Sequence, residues 1–217
     1  MRCAQDFIRE IPVLKFNDTV TKARKILRDE GFREVYVTGP KKNLAGYVDL
    51  TDALRVVATK SNVTLDGFLK EPARAGPDET VEDVARTMRA HHTDSAAITD
   101  EKGMVKGGVF LADLFPVIIC RNELRGTVRD VMTGKVVTAA PDDTIQKVYS
   151  LIVESGYTAF PVVKKNKVVG LVSRRDLISS HRIRTAIAQH ARTAVGDVMA
   201  KDVITISPDE RVGEAAV

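Results

Sequence analysis

Ser173 and Asp176 stand three positions apart in the run Ser173-Arg174-Arg175-Asp176, which gathers a hydroxyl, two guanidiniums and a carboxylate on four consecutive residues. An ionised Asp offers two acceptor oxygens, which suits a pair of adjacent sugar hydroxyls, and hydrogen bonds to a charged group are stronger than neutral ones. A serine hydroxyl beside the free backbone N–H groups of a helix start suits a sugar or phosphate oxygen. Arg174 and Arg175 then supply counter-charge for phosphate. Plainer roles compete for each residue: Asp176 as a helix cap, Ser173 as a solvated turn residue, and the two arginines as surface charges.

No comparable set points to catalysis. His91 and His92 are adjacent, so their side chains diverge on a helix or a strand, and no carboxylate–His pattern with metal-ligand spacing surrounds them. Gly107-Gly108 fits neither phosphate-loop pattern. Cys3 and Cys120 are far apart and outside any Cys-x-x-Cys, so neither a disulfide framework nor a zinc site is expected, and reduced structural thiols are. With no catalytic residue, no metal ligand and no required cofactor, the chain reads as non-enzymatic.

Composition narrows the class without choosing a partner. The hydrophobic fraction of 44% and charged fraction of 29% over 217 residues are those of a globular protein able to bury a sizeable core. Basic residues (33) barely exceed acidic ones (29), so the net charge of +4 is compatible with anions but does not demand them. No eighteen-residue apolar run is present, and Met1-Arg2-Cys3-Ala4-Gln5-Asp6 lacks the apolar run of a signal peptide. The expected location is cytoplasmic, with no membrane span.

The elements that must position Ser173 and Asp176 become visible when the chain is compared with itself. Four helix openings recur: Asn17-Asp18-Thr19-Val20, Pro77-Asp78-Glu79-Thr80-Val81, Pro141-Asp142-Asp143-Thr144-Ile145 and Pro208-Asp209-Glu210-Arg211-Val212. Their apolar residues Val20, Val81, Ile145 and Val212 are 61, 64 and 67 positions apart. Helical spacing follows, as in Val20, Ala23, Ile26 and Leu27, or Ile145, Val148, Leu151 and Ile152. After the first three helices comes a β-rich run (Glu34 to Val37, Ser95 to Ile98, Phe160 to Val163), a polar turn, and a second strand through Gly46, Gly107 or Gly170. A further helix is expected to open at Asp52, Asp113 or Asp176, six residues after each Gly, and a leading strand is expected at Val136-Val137-Thr138 and Val203-Ile204-Thr205.

This predicts an α+β architecture of tandem repeats, each strand-helix-strand-strand-helix, with paired sheets flanked by helices. One unit is too small to bury much alone, so neighbours should pack as pairs. The expected division is a first pair over 1–120 (repeats about 8–60 and 63–120) and a second over 121–217. Within the second, repeat three runs over about 126–185 and repeat four over 193–217. Repeat four is incomplete, since the sequence stops at Val217 inside its first helix.

The repeat resembles the CBS (cystathionine-β-synthase-type) domain, whose paired form is the Bateman module. Repeat three carries the likeness best: Val128-Arg129-Asp130-Val131-Met132-Thr133, then Val136-Val137-Thr138-Ala139-Ala140-Pro141, Gly156-Tyr157-Thr158-Ala159-Phe160-Pro161-Val162-Val163, and Gly170-Leu171-Val172-Ser173-Arg174-Arg175-Asp176-Leu177. Repeat four echoes its opening in Val195-Gly196-Asp197-Val198-Met199. The resemblance implies a regulatory module that senses AMP, ADP, ATP or S-adenosylmethionine in clefts between paired repeats. It also implies a homodimer and a regulated partner not identified by the sequence. Ser173 and Asp176 fill the polar positions of the family's Gly-apolar-x-Ser/Thr-x-x-Asp motif, and adenine is implied beside Val136, Thr138 and the Tyr157-Thr158-Ala159 segment up to Pro161. Tyr157 also reads as a core or rim aromatic. Repeat one has Asp49 and repeat two has Phe110 at the Ser/Thr position; a carboxylate there repels phosphate and a phenyl group removes a hydrogen-bond partner. The first pair is therefore expected to take a neutral or cationic adenosine ligand, or none, with Asp52 ranked ahead of Asp113 as a ribose ligand and Thr51 a displaced substitute hydroxyl. The alternative is a nucleic-acid-associated regulator using the basic 174–192 segment (Arg174, Arg175, His181, Arg182, Arg184, His190, Arg192), although stacking aromatics are absent there.

Overall fold

Three threonines start three of the four helices of ten or more residues among the described residues. Thr19, Thr80 and Thr144 each hold an extended N-cap conformation, and their hydroxyls accept from the backbone N–H of Lys22, Asp83 and Lys147. Just upstream, Asp18 Oδ2 accepts from the Lys15 N–H at 2.9 Å and Asp143 Oδ2 from the Ala140 N–H at 2.8 Å, closing the turn that feeds each helix. Lys22 and Lys147 ion-pair with the same two carboxylates across one turn, at 3.0 and 2.9 Å.

The computed structural model describes residues 2–30, 32–56, 62–121, 124–179, 183, 185, 187 and 192–216. Its helices are α1 (Val20–Asp29), α2 (Leu50–Arg55), α3 (Val81–His91), α4 (Leu111–Arg121), α5 (Val128–Val131), α6 (Ile145–Ser155), α7 (Arg174–Ser179) and α8 (Val212–Ala215). Its strands are β1 (Val13–Lys15), β2 (Glu34–Thr38), β3 (Leu44–Asp49), β4 (Arg74–Ala75), β5 (Ser95–Thr99), β6 (Val105–Phe110), β7 (Ala159–Lys164) and β8 (Lys167–Ser173). The fold is α+β, small sheets flanked by helices, in two compact units: the described parts of Met1–Asp49 with Asn62–Leu124, and of Leu50–Ser61 with Arg125–Val217.

The first unit holds two three-stranded sheets, β1-β2-β3 and β4-β5-β6, each a parallel pair followed by an antiparallel one. Helix α3 packs on the second sheet through Val81, Val84 and Met88, against Ala96, Ile98 and Val109. Tyr36, Leu44, Tyr47 and Ala97 form a further buried cluster joining the two sheets. The second unit holds the β7-β8 hairpin, with α6 burying Ile145, Val148 and Ile152, and α7 burying Leu177 and Ile178. Helix α2 packs in this unit, against α7 and α6.

Each pair of repeats exchanges its leading segments. Cys3 bridges to Thr80 and Thr64 to Thr19 in the first unit, and Thr127 bridges to Arg211 and Ala194 to Thr144 in the second. These leading segments then cross the other repeat where it carries Gly. A Cβ at Gly46 would lie 2.8 Å from the Lys70 carbonyl oxygen, at Gly107 2.6 Å from that of Arg9, and at Gly170 2.7 Å from that of Ala200. Glycine is required at these crossings because backbone, not a flexible side chain, occupies the space.

Two expectations are corrected. Val136–Thr138 and Val203–Thr205 are not strands: in repeat three only Ala139 pairs, in parallel with Val162. The Ala139 N–H donates to the Pro161 carbonyl (3.0 Å) and the Val163 N–H to the Ala139 carbonyl (2.8 Å), but Pro161 has no N–H to carry the ladder back towards Val137. Beside Val203–Thr205 no second strand stands among the described residues, and the Val203 N–H turns to the Lys201 carbonyl instead. The second helices also start at Leu50, Leu111 and Arg174, two residues before the expected Asp52, Asp113 and Asp176. Each Asp thus lies inside the first turn, where its charge suits the helix dipole. No helix among the described residues is long and apolar enough to cross a membrane.

Candidate functional site

The turn from β8 into α7 is where the structure sets Ser173 and Asp176 together. Ser173 closes the hairpin opposite Ala159, and the next residue begins the helix. Asp176 Oδ2 accepts both from the Ser173 N–H at 2.7 Å and from the Ser173 hydroxyl at 2.6 Å. The Asp176 N–H in turn donates to Ser173 Oγ at 3.4 Å. Serine at the cap and an acid three residues later make a reciprocal box, which ties both side chains to the helix start. Both are half-buried, so the box remains open on one side.

The segment implied beside adenine reaches this turn through its backbone. The Arg174 N–H donates to the Thr158 carbonyl at 3.0 Å, so Thr158, Ala159, Ser173 and Asp176 sit at one end of the hairpin. Because Ala139 runs parallel to Val162, the chain leading back through Thr138 to Val136 heads towards that same end. Val136 is 52% exposed and Tyr157 56% exposed, while Pro161 is half-buried. The Tyr157 ring packs edge-on to Phe160, with centroids 6.1 Å apart. Tyr157 is therefore a rim aromatic, with Phe160 filling the core beneath it.

The two arginines part company. Arg174 is turned inward and buried, and its Nη1 donates to the Thr51 hydroxyl of α2 at 2.7 Å. Arg175 is half-buried. The Thr51 contact is one that sequence reasoning did not foresee, since nothing in the repeat pattern says that α2 of repeat one meets α7 of repeat three. Of the rest of the basic 174–192 segment, Arg192 is described and exposed, while His181, Arg182, Arg184 and His190 lie outside the described residues.

Repeat four approaches β8 just upstream of the β8–α7 turn. Its leading segment crosses β8 at Gly170, with Leu171 and Ala200 exchanging backbone hydrogen bonds of 2.9 Å in both directions. Two successive repeats thus share a backbone seam three residues before Ser173.

The equivalent turns in the first two repeats differ. Asp49 pairs with Lys70 Nζ at 3.1 Å, so the carboxylate expected to repel phosphate has a cation beside it. Asp52 is 2% exposed and lies 3.7 Å from Arg55 Nη1. Phe110 stacks at a tilt on Phe32, centroids 6.1 Å apart. Asp113 ion-pairs with Arg9, and its Oδ2 is buried with no hydrogen-bond partner among the described residues. His91 ends α3 and His92 follows in the left-handed region at φ 54°. Cys3 is half-buried and Cys120 exposed, and neither is in a disulfide. Among the described residues, no group of three or more His, Cys, Asp or Glu is placed to hold a metal ion.

Comparison with known proteins gives one family and several relatives. The CBS domain model matches residues 4–59, 68–119 and 128–182. The uncharacterised protein MJ1426 of Methanocaldococcus jannaschii is 25% identical over 166 residues, covering 58% of this chain and 99% of that one. Inosine-5'-monophosphate dehydrogenase of Korarchaeum cryptofilum is 34% identical over 80 residues, 37% of this chain but only 15% of the enzyme. The crystal structure of MJ1225, also from M. jannaschii, superposes with a TM-score of 0.84 at 16% identity, covering 99% of this chain and 88% of that chain.

Proposed function

Because this chain belongs to the CBS domain family, we propose that it is a non-enzymatic regulatory module whose third and fourth repeats bind an adenosine nucleotide at the β8–α7 turn. The observation that carries the reading is the Ser173–Asp176 box, a hydroxyl and a carboxylate fixed at the motif's two polar positions on a half-buried turn. The carboxylate spends Oδ2 on the helix cap, and a carboxylate has about four lone-pair sites, so capping and ribose binding are compatible. Adenine lies along Thr158 and Ala159, with Tyr157 and Val136 as exposed apolar cover. Arg175 faces the phosphate in this reading. Arg174, held by Thr51, instead fixes α7 to α2 and acts on the ligand only through that packing.

The ligand is a regulatory effector and no cofactor is required. Occupancy favours the packing that brings repeat three and the leading segment of repeat four together, and a homodimer or a regulated partner reads that change. The inosine-5'-monophosphate dehydrogenase likeness spans only a small part of that enzyme, so its chemistry is not carried over.

A titration of AMP, ADP, ATP and S-adenosylmethionine by calorimetry, with inosine as a control lacking the adenine base, tests this directly. At least one adenosine compound is expected to bind and to raise the melting temperature, because a ligand selective for the folded state stabilises it by about 2.7 kcal/mol at one hundred times its Kd. If none does so while double-stranded DNA is retained in a salt-dependent manner, the basic-segment reading takes its place.

A further inference from the structure

Helix α2 belongs to repeat one in chain order, yet it packs in the second unit, on α7 and α6. Leu50, Thr51, Asp52, Ala53 and Leu54 are all buried, which leaves only Arg55 of the helix exposed. The first turn of α2 carries Thr51 between Asp49 and Asp52, the two motif positions of repeat one. The first turn of α7 carries Arg174 between Ser173 and Asp176, the two of repeat three. A buried hydrogen bond joins these helix starts, with Arg174 Nη1 donating to Thr51 Oγ1 at 2.7 Å.

Arg174 is a junction. Its backbone N–H donates to the Thr158 carbonyl at 3.0 Å, its neighbour Ser173 closes the hairpin opposite Ala159, and its side chain is anchored on α2. A guanidinium does not shed its charge, so a buried one needs acceptors, and an acceptor removed there leaves a charged donor unsatisfied. Helix α7 has six residues, too few to be stable alone, so its direction is set by such contacts. The Ser173–Asp176 box spans this same turn, with Asp176 Oδ2 accepting from the Ser173 N–H and hydroxyl. A shift of Arg174 therefore moves the hydroxyl just before it and the carboxylate two residues after it.

We infer that Thr51 is a positioning residue for the β8–α7 turn: by holding Arg174 it sets the Ser173–Asp176 box, so repeat one tunes the site of repeat three through α2. The inference rests on the nucleotide reading of that turn, and adds to it a residue from outside the motif and from a different repeat. Thr51 acts through Arg174 and not on the ligand. Coupling free energies are reciprocal, so occupancy of the turn steadies α2 in return.

Calorimetry on the full chain, with the tightest-binding of AMP, ADP, ATP and S-adenosylmethionine, compares two substitutions of Thr51. Thr51→Val keeps the shape and removes the oxygen, and is expected to weaken binding about fivefold. Thr51→Ser keeps the oxygen and should bind as the unaltered chain does. Arg174→Met should weaken binding as well, and adding Thr51→Val to it should cost little more, because both remove the same bond. Melting curves check that each variant folds. Hydrogen exchange on the unaltered chain needs no variant: the ligand should slow exchange of the Leu54 and Arg55 amides at the end of α2, and Thr51→Val should abolish that ligand-dependent protection. Full affinity in Thr51→Val, equal losses in Thr51→Ser and Thr51→Val, additive losses in the double variant, or no protection of α2 by bound ligand overturns the inference. Absence of binding, or full affinity in Asp176→Asn, removes the site itself. A weakened Asp176→Asn beside an unweakened Thr51→Val removes only the role of Thr51, so the two readings fail separately.

Discussion

Asp143, in the turn that feeds α6, is expected to contribute to the acid stability of the fold. The Ala140 N–H first, and then the Lys147 ammonium, hold the Asp143 carboxyl below its ordinary value of 3.8. A depressed folded value means that the ionised form stabilises the fold at pH above the unfolded value and that this contribution disappears as pH falls through the folded one. Stability measured by urea melts should therefore drop below about pH 4, and Asp143→Asn should flatten that acid limb while lowering stability at pH 7. An unchanged limb would mean that the turn does not hold its carboxylate as the geometry indicates. At the same scale, the meeting of Ser173 and Asp176 at a helix start was legible from their spacing, while their part in ligand binding is implied by the family resemblance. Arg174 was not, because its inward turn depends on Thr51, 123 residues away in the chain.

The helices and the first two strands after each of them were legible because three physical signals coincide there: a polar cap, a 3.6-residue apolar period and a β-rich run after the helix. The helix openings at Val20, Val81, Ile145 and Val212 match the observed first residues. The leading strand of repeat three failed because pairing is a property of two segments, and Pro161 on the partner strand withholds the needed donor. The second helices failed by two residues because the cap is the residue before the helix, Ser173 in repeat three, rather than the Asp. Glycine at the crossings gives an element-scale prediction. Gly170→Ala sets a methyl group 2.6 Å from Met199 Sδ and 2.7 Å from the Ala200 carbonyl oxygen; the thioether can move, but the carbonyl belongs to the seam itself. We expect a loss of about 1–3 kcal/mol in denaturant melts. Gly134→Ala, where nothing stands within 4 Å, should be close to neutral. Equal behaviour of the two variants would contradict the close approach of repeat four to β8.

For the whole molecule, an internal period of just over sixty residues does most of the work, because a repeat that cannot cover its own sheet must pair. The exchanged bridges, Cys3 to Thr80 and Thr64 to Thr19, then Thr127 to Arg211 and Ala194 to Thr144, show the same device used twice. These bridges are what a unit too small to bury its own sheet requires, whereas the aromatic contact in the cleft of the first unit, lined by Phe32, Phe110 and Phe115, was not legible in the sequence. Its lining comes from separate stretches of two repeats, and only the folded backbone brings Phe32 and Phe110 into contact. The claim on which the functional account turns is that Asp176 holds the ribose of an adenosine nucleotide. Calorimetry of the tightest-binding adenosine compound against Asp176→Asn, a variant that keeps the side-chain shape and removes the charge, measures this most directly. A drop in affinity of about ten- to a hundredfold, at a melting temperature close to that of the unaltered chain, is the predicted result. Unchanged affinity in a folded Asp176→Asn protein would contradict it.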